Sequence, residues 1–384
     1  MNPIFTAAID KPVLEKKIRI LFPSDYFDVK KVEPDYQEEY DAVSLLPIYE
    51  PIFFNYDEFV SGSEVKLYPK DAATGLCIYR GWMLTPVQYK ELYDSLLAKG
   101  ITLINSPEQY NACHLFSNVY DSIEQFTPKC LFFAQGTVID WALVNKTFKR
   151  FMVKDYVKSV KGSDFPAYFE TPVDPAEMDR RINEFIELRG DLFTGGIALK
   201  EFVELKKYGN TTNEHRVFYI YGNKLSIGQN SDQLEGCGHG PDIVPGIGAL
   251  KSNYYTVDFA ELLDGTSIVI ETGDGQVSGL PPGQDMFMYY YALSKRIEKT
   301  QEVFDMLDKE QKGFLLKNAG LIYESATEDL FNKPNAMLWI CLMVYGEECQ
   351  LEADDDPRFD CVRLSLAEQI MEIIYVNDPG DWDD

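Results

Sequence analysis

Short apolar runs alternate with amphipathic stretches through the first third of the chain. IRILFP (18–23) predicts a buried strand, DAVSLL (41–46) a helical or coil step, and EPIFFNY (50–56) a second strand. GLCIYRGW (75–82) predicts a strand closing in a Gly-containing turn. TPVQYKELYDSLLAKG (85–100) predicts a helix with Thr85 as N-cap, Pro86 in the first turn and Gly100 as the stop, and ITLIN (101–105) the next strand. Strand, turn, helix and strand in that order predict a parallel α/β module over about residues 15–120.

The pattern then changes. LFFAQGTVIDWALV (131–144) opens a second unit, followed by a strand RFMVKDYVKS (150–159), a loop KGSDFPAYFET (161–171) and a helix DPAEMDRRINEFIELRG (174–190) between Asp174 as N-cap and Gly190 as C-cap. Strand-like runs follow: GGIALKEFVEL (195–205), EHRVFYIYGNKLSIG (214–228) with a Gly-Asn hairpin signal, and YYTVDFA (254–260) joined through LLDGT to TSIVIETGDGQ (266–276). These predict a mostly antiparallel sheet. EGCGHGPDIVPGIG (235–248) reads as a long Gly-rich loop, and from about residue 285 the chain turns helical. The expected domains are 1–125 (parallel α/β), 126–292 (mixed sheet and helix) and 293–384 (helical extension).

Composition narrows the class. With 45% hydrophobic and 14% aromatic residues the chain can build large cores, while a net charge of −26 disfavours binding to a nucleic-acid backbone. Any site for an anion must be locally basic within this acidic protein. Seven widely spaced cysteines without a CxxC pair disfavour both a disulfide framework and a zinc knuckle. No charged start precedes a long apolar run, and the longest apolar stretch, AMLWICLMVY (336–345), is about half a membrane span, so the expectation is a cytoplasmic protein without membrane contact. The acidic runs 352–356 and 378–384 read as solvated surface and tail.

Several residues invite chemistry. Lys154 and Lys158, four apart, share a face if the segment stays extended; two ammoniums there suit an intervening anion, or else a solvated edge strand. Glu201, Phe202, Val203 and Glu204 offer backbone groups and carboxylates fit for an adenine ring and a ribose, although any exposed strand can read this way. Arg216, in a strand otherwise of Val, Phe, Tyr and Ile, needs an acceptor, either Glu214 or a phosphate oxygen. Asp258, Glu271 and Asp274 lie on strands joined by one tight turn; they are hard oxygen ligands suited to Mg²⁺, or simply hairpin acids. Asp264 reads as a turn residue, and His114, His215 and His239 lack metal-ligand spacing.

Taken in order, IYRGWMLTPVQYKELYDSLLAKGITLINSPEQY (78–110), VKDYVKS (153–159), the hinge EFVEL and VDFAELLDGTSIVIETGDGQVSGLP (257–281) resemble the ATP-grasp superfamily, and within it the third family of the clade named for two arginines and a lysine. The resemblance spans about residues 18–292. It implies an ATP-grasp fold, α/β and α+β, with an N-terminal parallel α/β domain and a C-terminal helical segment. It further implies ATP and Mg²⁺ as cofactors, Lys154 as the nucleotide-phosphate lysine, Glu201 and Val203 as the adenine hinge, Asp258 with Glu271 as Mg²⁺ ligands, and Arg80 and Arg216 as the clade arginines. Many relatives end the last strand Glu-x-Asn; here Gly273 stands in the asparagine's place, which leaves Asp274 or Gln276 to take over its role.

The implied activity is ATP-dependent ligation of a carboxylate to an amine or a thiol through an acyl-phosphate. The acceptor is a small molecule, a peptide or a protein, Arg80 holds its carboxylate, and the loop 159–171 is the lid. The rival reading is a nucleotide-binding assembly factor of the same fold, in which the C-terminal helices form a protein-partner or homodimer surface.

Overall fold

A computed structural model of the protein describes residues 17–306 except 71, 73, 161–162 and 230–249. The Gly-rich stretch 235–248, the C-terminal helical segments and acidic runs beyond residue 306, His239 and four of the cysteines lie outside the described residues. No helix among the described residues is long and apolar enough to cross a membrane.

The contacts divide the chain otherwise than at the expected boundaries. Among the described residues, one unit takes in the chain up to Trp82, Lys90–Ile104 and Asp285–Ser294; the other takes in Met83–Tyr89, Asn105–Gln284 and the described residues from Lys295 on. The segment expected to close the first domain at residue 125 joins the second from Asn105 onward, because Cys113, Phe116, Val119, Tyr120 and Ile123 share a core with Val217, Tyr255 and Val257.

In the first unit, β1 (Ile18–Pro23), α1 (Gln37–Ser44), β2 (Tyr49–Phe54), α2 (Tyr56–Val60), β3 (Leu67–Tyr68), β4 (Gly75–Tyr79), part of α3 (Pro86–Leu97) and β5 (Ile101–Leu103) follow one another. The sheet order is β3-β2-β1-β4-β5, parallel except at β3. All six residues of β1 are buried, as expected of a strand with neighbours on both sides and cover on both faces. Thr85 caps α3: its hydroxyl accepts from the Gln88 amide at 3.3 Å, and the Gln88 side chain accepts from the Thr85 amide at 2.9 Å.

The second unit holds α4 (Pro107–His114), α5 (Phe116–Ile123), β6 (Cys130–Ala134), α6 (Trp141–Thr147), β7 (Arg150–Asp155), β8 (Phe169–Glu170), α7 (Pro175–Arg189), β9 (Gly196–Glu201), β10 (Lys207–Tyr208), β11 (Thr211–Thr212), β12 (Glu214–Ile220), β13 (Asn223–Gln229), β14 (Tyr254–Glu261) and β15 (Ser267–Asp274). They form two four-stranded antiparallel sheets, β6-β9-β7-β8 and β13-β12-β14-β15, beside the short pair β10-β11. The first sheet packs Phe151, Val153 and Leu199 on Val144, Ile182 and Phe185 of α6 and α7. Asp174 caps α7, accepting from the Glu177 amide at 2.8 Å, and Gly190 ends it with a positive φ of 52°. The β12–β13 hairpin turns one residue earlier than its Gly-Asn signal: Tyr221 (φ 47°) and Gly222 (φ 65°) are its two central residues, and Asn223 already pairs with Ile220. The helix α8 (Met286–Met306) ends the described chain.

Candidate active site

The register of β12, β14 and β15 lines up three charged side chains. Arg216 opposes Asp258, and Asp258 opposes Glu271, so all three stand on one face. Arg216 donates through Nε and Nη2 to the two Asp258 oxygens, each at 2.8 Å, and through Nη1 to the Gly279 carbonyl at 3.1 Å. The acceptor that the sequence demanded for Arg216 is therefore Asp258 across the ladder. Glu214, the alternative, accepts from the Thr212 hydroxyl.

Lys154 and Lys158 close on the end of this row. Lys158 Nζ lies 2.9 Å from Glu271 Oε1 and Lys154 Nζ 3.9 Å from Oε2. The expected extended face is not how they meet. Strand β7 stops at Asp155, whose side chain accepts from the amides of Val157 (2.7 Å) and Lys158 (2.6 Å); the resulting turn folds Lys158 back beside Lys154. Arg189 anchors the same aspartate at 2.8 Å. Burial alone would raise the Glu271 carboxyl, but Lys154, Lys158 and Arg216 hold it well below the usual carboxylate range.

A fourth cation was missed. Lys200, 4% exposed in β9, donates to the Ile270 carbonyl at 2.6 Å and lies 4.2 Å from the Phe116 ring centroid. Burial, followed by the repulsion of Lys154, pushes its ammonium down to about 7. The signal was present: a lysine inside the apolar strand GIALKE asks for an acceptor as plainly as Arg216 does. His114 is also close enough to feel Lys158 and Glu271. Burial first, then Lys158, lowers it to about 3, and its ring stacks on Tyr110 at 4.6 Å.

The hinge follows β9 directly. The Phe202 amide is bonded to the Arg150 carbonyl at 3.0 Å, whereas neither the amide nor the carbonyl of Val203 has a hydrogen-bond partner among the described residues. Phe202 packs on Tyr168, from the loop before β8, at 4.5 Å; the Arg150 guanidinium lies 5.1 Å from the Phe202 ring and pairs with Glu204 at 2.9 Å. The side chain of Glu201, at the end of β9, is partly exposed.

Two expectations need correction. Asp274 does not join Asp258 and Glu271: it opposes Tyr255 and so lies on the other face of β15, three residues from Glu271. It is fully buried and accepts from Asn105 Nδ2, from the Gln276 amide at 2.9 Å and from Gln276 Nε2 at 3.2 Å, which is a structural network. The place beside Glu271 on the site face belongs to Gly273, where an added Cβ would come within 3.0 Å of the Thr256 and Ser278 hydroxyls. Arg80 is likewise not at an open acceptor position. It is 1% exposed, and its Nε and Nη2 donate to Glu39 at 2.8 and 2.9 Å, with the Tyr290 hydroxyl on the same carboxylate. Asp264 is a turn residue as expected, accepting from the Thr266 amide at 2.9 Å.

Among the described residues no group of three or more His, Cys, Asp and Glu is placed to hold a metal. Two carboxylates, Asp258 and Glu271, on neighbouring strands fit Mg²⁺, which typically takes one or two protein carboxylates and completes its shell with substrate phosphates and water.

Residues 140–293 match the family model of an ATP-grasp domain, family 3 of the clade named for two arginines and a lysine. Over this stretch the match agrees with the resemblance drawn from the sequence, and the C-terminal helical segment that the resemblance also implied lies outside the described residues. Among solved structures, the chain is similar to D-cycloserine synthetase DcsG (14% identity, 73% of this chain and 99% of that one, TM-score 0.47) and to D-alanine–D-alanine ligase from Bacillus anthracis complexed with ATP (15%, 74% and 99%, TM-score 0.45). It is also similar to the ATP-grasp ligase PsnB complexed with a minimal precursor, Mg and ADP (12%, 72% and 97%, TM-score 0.44). No curated protein matches the sequence.

Proposed function

We propose that the chain is an ATP-dependent, ADP-forming ligase that joins a carboxylate to an amine or a thiol through an acyl-phosphate. The observation that carries this reading is the charge imbalance at one place. Among the described residues Lys154, Lys158 and Arg216 gather around two carboxylates, Asp258 and Glu271, in a protein of net charge −26. Surplus cations held together in partly buried surroundings repel one another, and a polyphosphate relieves that repulsion. The ATP-grasp domain at 140–293 supports the same ligand.

In this reading the free backbone groups of Val203 take the adenine edge, with Glu201, Phe202 and Glu204 around the purine and ribose. Lys154, Lys158 and Arg216 hold the phosphates. Asp258 and Glu271 hold Mg²⁺, which when bound neutralises phosphate charge. A carboxylate oxygen of the acceptor attacks the γ-phosphorus, and the bond to the β,γ-bridging oxygen breaks with its electron pair leaving on ADP. The lysines and Arg216 stabilise the charge as it spreads over the transferring group. The amine or thiol then attacks the acyl carbon, inorganic phosphate departs, and the nucleophile's proton passes to phosphate or solvent. Loop 159–171 acts as the lid, excluding water through contacts such as Tyr168 on Phe202. The acceptor is a small-molecule, peptide or protein carboxylate.

Positional isotope exchange tests the first step. With ATP labelled at the β,γ-bridging oxygen, Mg²⁺ and a panel of carboxylates without amine, the matching acceptor should scramble the label, and adding an amine should release ADP. Stoichiometric retention of bound, unscrambled ATP across free amino acids, peptides and protein carboxylates would favour the assembly-factor reading instead.

A further inference from the structure

We infer that Lys200 is a positioning residue of this site: by holding the carbonyl of Ile270 it fixes the β-bulge that turns Glu271 onto the face of Asp258 and Arg216. The inference rests on the reading of Asp258 and Glu271 as the Mg²⁺-holding pair and adds a residue that acts on them from the other sheet.

The register of β14 against β15 carries the argument. Phe259 opposes Val269, but the next residue, Asp258, opposes Glu271, so Ile270 is an extra residue without a partner. Were the register unbroken, Asp258 would oppose Ile270 and Glu271 would oppose Val257. Side chains alternate with period two, so that slip would turn the Glu271 carboxylate toward the core formed by Val257, Tyr255 and Val269. One bulged residue therefore decides whether Glu271 faces the lysines or the core.

A bulge frees backbone groups that the ladder no longer satisfies. The Ile270 carbonyl finds its donor outside its own sheet, in Lys200 Nζ at 2.6 Å. Lys200 belongs to β9, between Cys130 of β6 and Met152 of β7, so this bond ties the two sheets of the unit together at the bulge. The ammonium has no carboxylate in ion-pair contact among the described residues; it lies on the face of Phe116 and, beyond contact distance, feels the repulsion of Lys154 and the attraction of Glu271. Burying a lysine on a neutral acceptor is costly, and a methionine or leucine would fill the same space more cheaply. What only a donor contributes here is the bond to Ile270. Because Lys200 immediately precedes Glu201–Val203, the strand that presents the hinge also braces the acid.

Two variants of the full chain separate bracing from direct contact with phosphate. Lys200→Met removes the donor and keeps the volume, whereas Lys200→Gln keeps a neutral donor. Calorimetric titration of Mg²⁺ at fixed AMP-PNP, and of AMP-PNP without Mg²⁺, should show K200M weakened at least about tenfold for Mg²⁺ but less than threefold for metal-free nucleotide, with K200Q near wild type in both. Wild-type Mg²⁺ affinity in K200M, or an equal loss of metal-free nucleotide affinity in both variants, would overturn the inference. If K200M fails to fold, K200Q decides alone: bracing predicts near-normal Mg²⁺ affinity and phosphate contact a loss. Hydrogen exchange of peptides covering 267–274 adds a readout that needs no ligand. Faster exchange in K200M than in K200Q supports the brace, and unchanged exchange in K200M sinks it. Should wild type bind no nucleotide, the proposed function fails while the exchange result still judges the brace.

Discussion

Each unit of the molecule contains an arginine gripping a carboxylate with two nearly identical hydrogen bonds, and the two forks differ in everything around them. Arg80 and Glu39 in the first unit are sealed, with Tyr290 adding a donor to the same acid. Arg216 and Asp258 in the second begin a row that continues to Glu271, Lys154 and Lys158. The first fork is a balanced pair whose burial makes it structural. The second sits where, among the described residues, cations outnumber acids, and it is that imbalance, more than the fork itself, on which the proposed nucleotide site rests. The resemblance in the sequence implied the same role for both arginines, yet only Arg216 lies in a row with Glu271, Lys154 and Lys158.

The comparison can be broken at several points. The largest effect is expected from Arg80→Met, which strands Glu39 in the interior and should cost about 3–5 kcal/mol of stability in denaturant unfolding; nucleotide affinity of the protein that remains folded should be unchanged. A loss of affinity without a loss of stability would make the two forks functionally alike. Next come Lys154→Ala and Glu271→Gln in the open row, each expected to lower the rate of ADP release by roughly 10²–10³-fold, with only a small change in melting temperature.

Asp274→Asn sharpens the assignment of acids. The amide nitrogen introduced there meets donors from Asn105 or Gln276, so about 1–3 kcal/mol of stability should be lost, with the Mg²⁺ dependence intact. A further effect concerns pH. His114 is neutral in the fold down to about 3 but protonates near 6.5 when unfolded, so between those values the unfolded chain binds the extra proton. The stability due to the neutral His114 is complete above 6.5 and falls as pH drops toward 3. His114→Phe should lose less stability than wild type between pH 7 and pH 4.5 in paired denaturation curves.

Much of the fold was legible because local chemistry and tertiary structure agree. Asp174, Pro175 and Gly190 bracket α7 by themselves, Thr85 and Gln88 start α3, and the LLDGT turn pairs the strands that carry Asp258 and Glu271. The sheet of the first unit could be read from its largely apolar strands. What escaped depends on events the period of a strand does not encode. The end of β7 at Asp155 is set by a side chain capping two amides and by Arg189 reaching from another helix. The bulge at Ile270 adds one residue to one strand, and so reverses which of Glu271 and Ile270 faces the site without altering composition or hydrophobic pattern. Asp274 misled for the related reason that three residues along a strand is an odd step. Arg80 misled because the end of a parallel strand is a frequent ligand position, while its partner Glu39 lies 41 residues away in sequence.

The central claim is that the row of Arg216, Asp258 and Glu271 with Lys154 and Lys158 holds Mg²⁺ and ATP. Its most direct test is equilibrium binding of ATP, with and without Mg²⁺, to the wild type and to Lys154→Ala. The account predicts Mg²⁺-enhanced binding to the wild type and at least about a tenfold loss in the variant, equivalent to about 1.4 kcal/mol. Absence of wild-type binding at millimolar ATP, or equal binding by both proteins, would contradict it.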